Sequence, residues 1–400
     1  MSTPPTTPGG VVVPYWRLSG FYFFYFALLG ATAPFLAAWF AHLGFASARI
    51  GELVAIPMLM RCLAPHVWGW LADRSGQPLL IVRLGALCTL GTFSLIFLGH
   101  GYTWLALVMA LHAFFWHAVL PQFEAITLAH LRARPARYGQ VRLWGSVGFI
   151  AAVVALGRAF EWAGLQAYPY VVVVIMAGIL LASLWVPAPE RLPGVTPHTA
   201  EAGFWQRLRH RPVMAFYLCV ALMQLSHGPY YTFLTLHLEH LGYSRAAIGL
   251  LWALGVVAEV LMFMAMGRIL GRWPVRLVLG ASFALASLRW LLLGGAAGAW
   301  PLLLLAQVLH AATFASFHAA AIHFVQHTFG LRHQGQGQAA YAALSGGGGA
   351  LGALYAGYAW APLGPFGTFL LASVAAAAAA VIIITCMPAA PRMPTSDTRI

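Results

Sequence analysis

Polar residues are so sparse along this chain that it divides into twelve apolar stretches: 18–41, 50–72, 79–98, 103–128, 143–162, 168–186, 213–238, 246–266, 274–294, 300–325, 338–360 and 366–387. About 20 apolar residues, wound as a helix, cross the ~30 Å hydrocarbon core of a bilayer. Barrel strands would instead show ~10-residue alternating segments. Gly and Pro inside these stretches do not argue against helices, because a bundle can satisfy the freed backbone groups. The pattern predicts an all-α integral membrane protein. The one long polar interruption, Pro187 to Pro212, separates a six-helix bundle (1–186) from a second one (213–387), with a central loop at 187–212 and a tail at 388–400. Phe204-Trp205 suggests a short interfacial segment within that loop. Residues 1–16 are Pro/Thr/Val-rich and lack a basic n-region, so the first span is expected to stay as a helix rather than be cleaved.

The two halves repeat each other at an offset of 198 residues. Leu43-Gly44-Phe45 with Ile50-Gly51 returns as Leu241-Gly242-Tyr243 with Ile248-Gly249. Gly69 and Arg74 return as Gly267 and Arg272, and Leu111-His112-Ala113 as Leu309-His310-Ala311. Arg61 stands opposite Glu259, both inside apolar stretches. Duplicated membrane halves with polar groups at matching depth are a transporter architecture, with the site between the repeats.

Composition agrees. The chain is 61% hydrophobic and 8% charged, against ~25% charged in soluble domains; its mean hydropathy is +0.79. The formal charge of +13 invites a nucleic-acid reading, but its distribution removes it. Arg132, Arg134, Arg137 and Arg142, then Arg207, Arg209 and Arg211, then Arg268, Arg272 and Arg276 fall in alternate loops, all on one side. By the positive-inside rule both termini are cytoplasmic, as for a multi-pass bacterial-type inner-membrane protein. Cys62, Cys88, Cys219 and Cys386 lie in spans without metal-like spacing. His237-Leu238-Glu239-His240 has no third ligand. No metal, cofactor or nucleic acid is expected, and the chain is not expected to be an enzyme; the expected partners are a small-molecule substrate, protons and the bilayer.

After the second stretch the chain reads Gly69-x-x-x-Asp73-Arg74-x-Gly76-Gln77. This resembles the Gly-x-x-x-Asp-Arg-x-Gly-Arg/Lys signature of the major facilitator superfamily, with Gln77 departing from the basic residue. The resemblance implies the major facilitator fold, two pseudo-symmetric bundles with Asp73 clamping the cytoplasmic side shut, and a monomer. Glu124-Ala125, Tyr138-Gly139-Gln140-Val141-Arg142-Leu143-Trp144-Gly145-Ser146, Ala258-Glu259, Leu288-Arg289-Trp290 and Leu309-His310 through Phe314 with His318 are similar to the 3-phenylpropionate permease family, related to the lactose permease-type proton symporters. There a Glu and an Arg at the spacing of Glu124 and Arg142 grip the substrate. Phe149 stands where those symporters carry a sugar-stacking Trp, which argues against a galactoside, and Thr313 stands where they carry a proton-binding Glu.

The residues support a site on their own. A charge at mid-helix costs roughly 2.5–3.5 kcal/mol on insertion scales, so Arg61, Glu124, Glu259 and Arg289 are expected to face partners or a wet cavity. Glu124 and Arg61 alternatively hold helices together, and Arg142 alternatively anchors its helix at the interface. Gln224, His227, Tyr231 and Thr235 form a polar stripe at i, i+3, i+7 and i+11. His117 lies two turns before Glu124 on one face, and His310, Thr313 and His318 share a broad face. Histidine near a carboxylate titrates where proton coupling operates, although each imidazole alternatively satisfies a backbone carbonyl. Substrate binding is thus expected at Arg61, Glu124, Arg142, Phe149, Gln224, His227 and Tyr231. Proton coupling is expected at His117, Glu259, Arg289, His310 and His318, with Glu259 as carrier linked to Arg289 and to the histidines His310 and His318, and gating at Gly69, Asp73, Arg74 and Gly76. The expectation is proton-coupled uptake of a small organic solute, an aromatic carboxylate favoured. A sugar or nucleoside symporter, a drug efflux antiporter and a non-transporting sensor stay open; the stretch from Trp144 to Phe160 lacks the Pro of the antiporters' Gly-Pro motif.

Overall fold

The computed structural model describes residues 13–132, 134, 137–189 and 202–388. The first twelve residues, much of the central loop and all of the tail after 388 lie outside the described residues. Helices account for nearly all the rest: α1 (Tyr15–His42), α2 (Ser47–Ser75), α3 (Pro78–Ser94), α4 (Tyr102–His130), α5 (Tyr138–Ala163), α6 (Tyr168–Trp185), α7 (Ala202–Leu208), α8 (Arg211–Ser226), α9 (Gly228–His240), α10 (Arg245–Arg272), α11 (Val275–Gly295), α12 (Trp300–Val308) and α13 (Phe317–Cys386). A π-helical turn, Ala311–Ser316, joins α12 to α13. Ten helical stretches among the described residues are long and apolar enough to cross a membrane. The protein is a multi-pass membrane protein.

Two features depart from a plain reading of the apolar stretches. The seventh stretch is two helices, because Pro229 has no N–H to continue the ladder and the chain bends at His227. The expected loop before the eleventh stretch is helical: Gly330, at φ 62°, makes the turn alone. Gly364, at φ 66°, turns the chain again. A straight 54-residue helix from His333 to Cys386 would be about 80 Å long, far more than one crossing; the turn at Gly364 resolves that. In the central loop, α7 seats Phe204 on Phe329 at 5.3 Å between ring centroids.

The repeated glycines do two separate jobs. Gly44 (φ 87°) and Gly242 (φ 85°) end α1 and α9 in the left-handed conformation that suits glycine. The hydrogen bonds also repeat, Phe45 N–H to Phe40 O at 3.2 Å and Tyr243 N–H to Leu238 O at 3.0 Å. Gly51 and Gly249 instead let the two halves of the chain touch. A Cβ at Gly51 would stand 2.6 Å from Ala353 O, and one at Gly249 would overlap the Val153 carbonyl.

Two hydrophobic clusters form the interior. One draws mainly on residues before 190, with Phe233, Ala350, Ala353 and Ala356 added; the other draws on residues after 201, with Phe149 and Val153 added. The halves meet where α2 packs on α13, α5 on α10 and α1 on α9. Hydrogen bonds concentrate at the end that bears Gly44 and Gly242. There Glu161 Oε1 accepts the Ala246 N–H at 3.2 Å, Arg245 Nη1 donates to Phe160 O at 2.9 Å, and Tyr358 donates to Glu52 Oε1 at 2.5 Å. At mid-depth Cys62 Sγ reaches Ala343 O at 3.2 Å. At the opposite end, where Asp73 lies, no hydrogen bond joins the halves among the described residues. The molecule is closed at the Gly44 end.

This packing predicts that Gly249→Leu forces the Gly44 end apart, since backbone rather than a movable side chain opposes the new atoms. Spin labels at Ala46→Cys and Leu241→Cys would report a longer separation in the variant. An unchanged distance distribution would show that α5 and α10 can yield.

Candidate functional site

Charged residues within the helical stretches gather into two groups. The first lies on α1, α4 and α5. Arg142 and Glu124 face each other at 3.8 Å (Nε to Oε1), each about one third exposed. That contact is loose for a guanidinium–carboxylate pair, which closes to ~2.7–2.9 Å when hydrogen-bonded. The guanidinium lies instead over Phe26, 4.0 Å from the ring centroid, and 5.5 Å from that of Tyr22. The Tyr22 hydroxyl donates to Thr127 Oγ1 at 3.3 Å. Glycines open the space: a Cβ at Gly145 would stand 2.8 Å from Arg142 Nη1. Arg61 on α2 is exposed and makes no ion pair among the described residues.

The second group lies on α9, α10, α11 and the π turn. Glu259 Oε2 is 3.4 Å from His310 Nε2. His310 is buried and stacks on Tyr230 at 5.7 Å and on Phe314 at 5.5 Å; Phe314 in turn stacks on His318 at 6.2 Å. His318 Nδ1 shares a hydrogen bond of 2.9 Å with the Tyr341 hydroxyl. A ladder of rings thus runs from Glu259 along one helix face. π turns are rare and frequent at functional sites.

The expected residues divide accordingly. Glu124 and Arg142 come together, and so do Glu259 and His310, with His318 next along the rings. Arg289 is fully buried but pairs with no carboxylate among the described residues; its Nε donates to Ala306 O at 2.8 Å and its Nη1 to Thr313 Oγ1 at 3.0 Å. Of the links expected for Glu259, the structure has the contact with His310 and, among the described residues, no ion pair with Arg289. His117 Nε2 is held by Pro57 O at 3.1 Å, the backbone-satisfying role. Phe149 is buried in the second hydrophobic cluster, so its ring packs the contact between halves. His227 binds its own helix, Nδ1 to Met223 O at 2.8 Å, and stacks on Tyr231 at 5.8 Å. The bend at His227 means that Gln224 belongs to α8 and Tyr231 to α9, so their stripe is not one straight line. Gln224 and Tyr231 are each half-buried.

At the Asp73 end, Gly76 caps α2 in the left-handed conformation (φ 63°), with its N–H on Ala72 O at 2.9 Å. Asp73 and Arg74 are exposed, Arg74 leans over Trp70 at 5.6 Å, and Asp73 makes no ion pair among the described residues. Gly69 is open on its Cβ side. Among the described residues the acid of the signature is thus unengaged while the far end is shut.

Sequence reasoning missed Phe26, Tyr230 and Gln307. Tyr230 donates to Gln307 Oε1 at 3.2 Å and lies 4.1 Å beneath the Arg289 guanidinium. Gln307 stands three residues before His310, a spacing that shares a helix face and was available in the sequence.

Comparison with known proteins decides the family. Residues 15–371 match the MFS_1-like family. The chain belongs to it. This major facilitator superfamily transporter is 31% identical over 336 residues to a protein of Escherichia coli (strain K12) named "Probable 3-phenylpropionic acid transporter", covering 82% of this chain and 86% of that one. It is 28% identical over 278 residues to the maltose permease of Geobacillus stearothermophilus, 68% of each chain. A crystal structure of the nucleoside transporter NupG superposes with a TM-score of 0.81 at 16% identity, covering 93% of this transporter and 98% of that chain; at that identity it speaks for the fold alone.

Proposed function

We propose that this transporter moves a small aromatic carboxylate, of the size and charge of 3-phenylpropionate, together with protons, by alternating access. One observation carries the reading. Arg142 sits on aromatic rings and only loosely on Glu124 at 3.8 Å, while a separate carboxylate–imidazole contact, Glu259 with His310, lies in the other half. A guanidinium has two edges, and its fork suits a carboxylate. A substrate carboxylate on Arg142 would bring its ring beside Phe26 and Tyr22. Glu259 would take the proton, with His310 as its hydrogen-bond partner and His318 next along the ladder.

The same reading assigns twelve crossings: α8 and α9 count as one, Trp300–Gly330 as one, and His333–Cys386 as two divided at Gly364. Residues 1–186 and 213–387 form the two six-helix bundles. Arg132, Arg137, Arg207, Arg211, Arg268, Arg272 and Arg276 share the Asp73 end, which the positive-inside rule makes cytoplasmic, together with both termini. The structure would then be closed to the outside, the Asp73 clamp would engage in the opposite state, and a monomer in the inner membrane would suffice.

Uptake of labelled 3-phenylpropionate into proteoliposomes, driven by an inward proton gradient and abolished by a protonophore, is the test. Gradient-driven uptake of maltose or a nucleoside, with no competition from 3-phenylpropionate, would favour the second reading. That reading has its own support in the maltose permease relative and in Glu124, which could accept from sugar hydroxyls.

A further inference from the structure

Arg289 is the only buried Arg, Asp or Glu among the described residues, and the ion-pair role expected for it is absent. A buried charge persists only where its surroundings compensate it. Here compensation comes from a main-chain carbonyl, a hydroxyl and two ring faces, Tyr230 at 4.1 Å and Trp290 at 4.8 Å. The two acceptors bracket a functional residue. Ala306 lies one turn before His310 and Thr313 three residues after it, with the start of the π turn between them. In an α-helix the Ala306 carbonyl would accept from the His310 N–H; here it accepts from Arg289. Thr313, while accepting from Arg289, donates its own hydroxyl to His310 O at 3.3 Å. Tyr230 packs beneath the guanidinium and stacks on the His310 ring. Main chain and ring of His310 are thus both fixed through Arg289.

We propose that Arg289 is a positioning residue: by spanning Ala306 and Thr313 it holds the π turn in the form that sets the His310 imidazole against Glu259, without itself touching substrate or proton. This rests on the reading of Glu259 and His310 as the proton pair. Glu259 contacts His310, and along the rings from His310 lie Tyr230 of α9 and, through Phe314, His318 of α13. Of these, His310 alone is tied to Arg289 through Thr313. Lysine cannot reproduce the arrangement, because it offers a point charge rather than a planar fork.

The test needs no identified substrate. In infrared difference spectra of the reconstituted protein, the carboxyl band lost in Glu259→Gln reports that group's protonation, and its pH titration gives a midpoint. Thr313→Val keeps the side-chain shape and removes the hydroxyl; Arg289→Lys keeps the charge and removes the fork. Each is expected to move the midpoint by about one pH unit, a tenfold change in proton affinity. Thr313→Ser restores it, and the double variant moves it no further than either single one. An unmoved midpoint in Thr313→Val, or a Thr313→Ser variant that behaves like valine, overturns the positioning role even if Arg289→Lys fails to insert. If no titrating band disappears in Glu259→Gln, the proton pair itself is wrong, and the failure lies with the proposed function.

Discussion

Arg142→Ala is expected to abolish measurable uptake and to weaken binding of 3-phenylpropionate by about 100-fold or more, as truncating one partner of a desolvated charge pair costs roughly 2–5 kcal/mol. The guanidinium is already stacked over Phe26 and is not closed onto Glu124, so its hydrogen-bonding edge is available to a ligand. Lysine at the same position would keep the charge and lose the fork, so Arg142→Lys should retain weak binding. Glu124→Gln should cost a carboxylate substrate little, because it removes the competing anion, but should hurt a neutral polyol that needs an acceptor. Calorimetry on the three variants separates the two substrate classes. Wild-type affinity in Arg142→Ala would remove Arg142 from the site.

The second large effect falls on coupling rather than binding. Glu259→Gln replaces a titratable group with a neutral amide of the same shape. If Glu259 carries the proton, the variant should exchange internal for external substrate in counterflow, yet fail to accumulate it against a gradient. Its exchange should also be nearly flat between pH 5 and 8, where the wild type varies. Asparagine or alanine would confuse the result by opening space beside His310, which is why glutamine is the informative change. Full accumulation by Glu259→Gln would move the proton elsewhere, with His318 and Glu124 the remaining candidates in the same space.

The membrane class and the repeated helix ends were legible because each depends on local chemistry. Apolar length reports a crossing, and a matched glycine reports a helix end, so Gly44 and Gly242 could be paired from 198 residues apart. What was hidden depends on which backbone lies opposite. Gly51 and Gly249 look like one more repeated pair, yet each touches the other half of the chain, and nothing in their own neighbourhoods says so. The same holds for Arg289. Its mid-helix charge was evident, but a carbonyl and a hydroxyl meet it where a carboxylate was expected. The carbonyl it meets lies beside a π turn that no propensity announces. His117 and Phe149 show the converse: their residue types suggested chemistry, and their neighbours, Pro57 O and a packed cluster, give them structural work.

The glycine-rich part of α13 lies between two different kinds of neighbour. A Cβ at Gly346 would stand 2.6 Å from Cys62 Sγ, and one at Gly357 2.8 Å from Gly51 Cα, both in the first half. One at Gly348 would overlap the Ala221 carbonyl, and one at Gly352 would stand 2.7 Å from Leu225 O, both in the second half. One edge of this helix is therefore a weld and the other a bearing. Side chains added along the weld would be felt while the protein is being made, as chains that never assemble. Side chains added along the bearing would be felt only when the assembled protein turns over. A hereditary record of this gene should therefore keep both sets of glycines for unrelated reasons, and a selection that scores abundance apart from transport would tell the two edges apart, residue by residue, along a single helix.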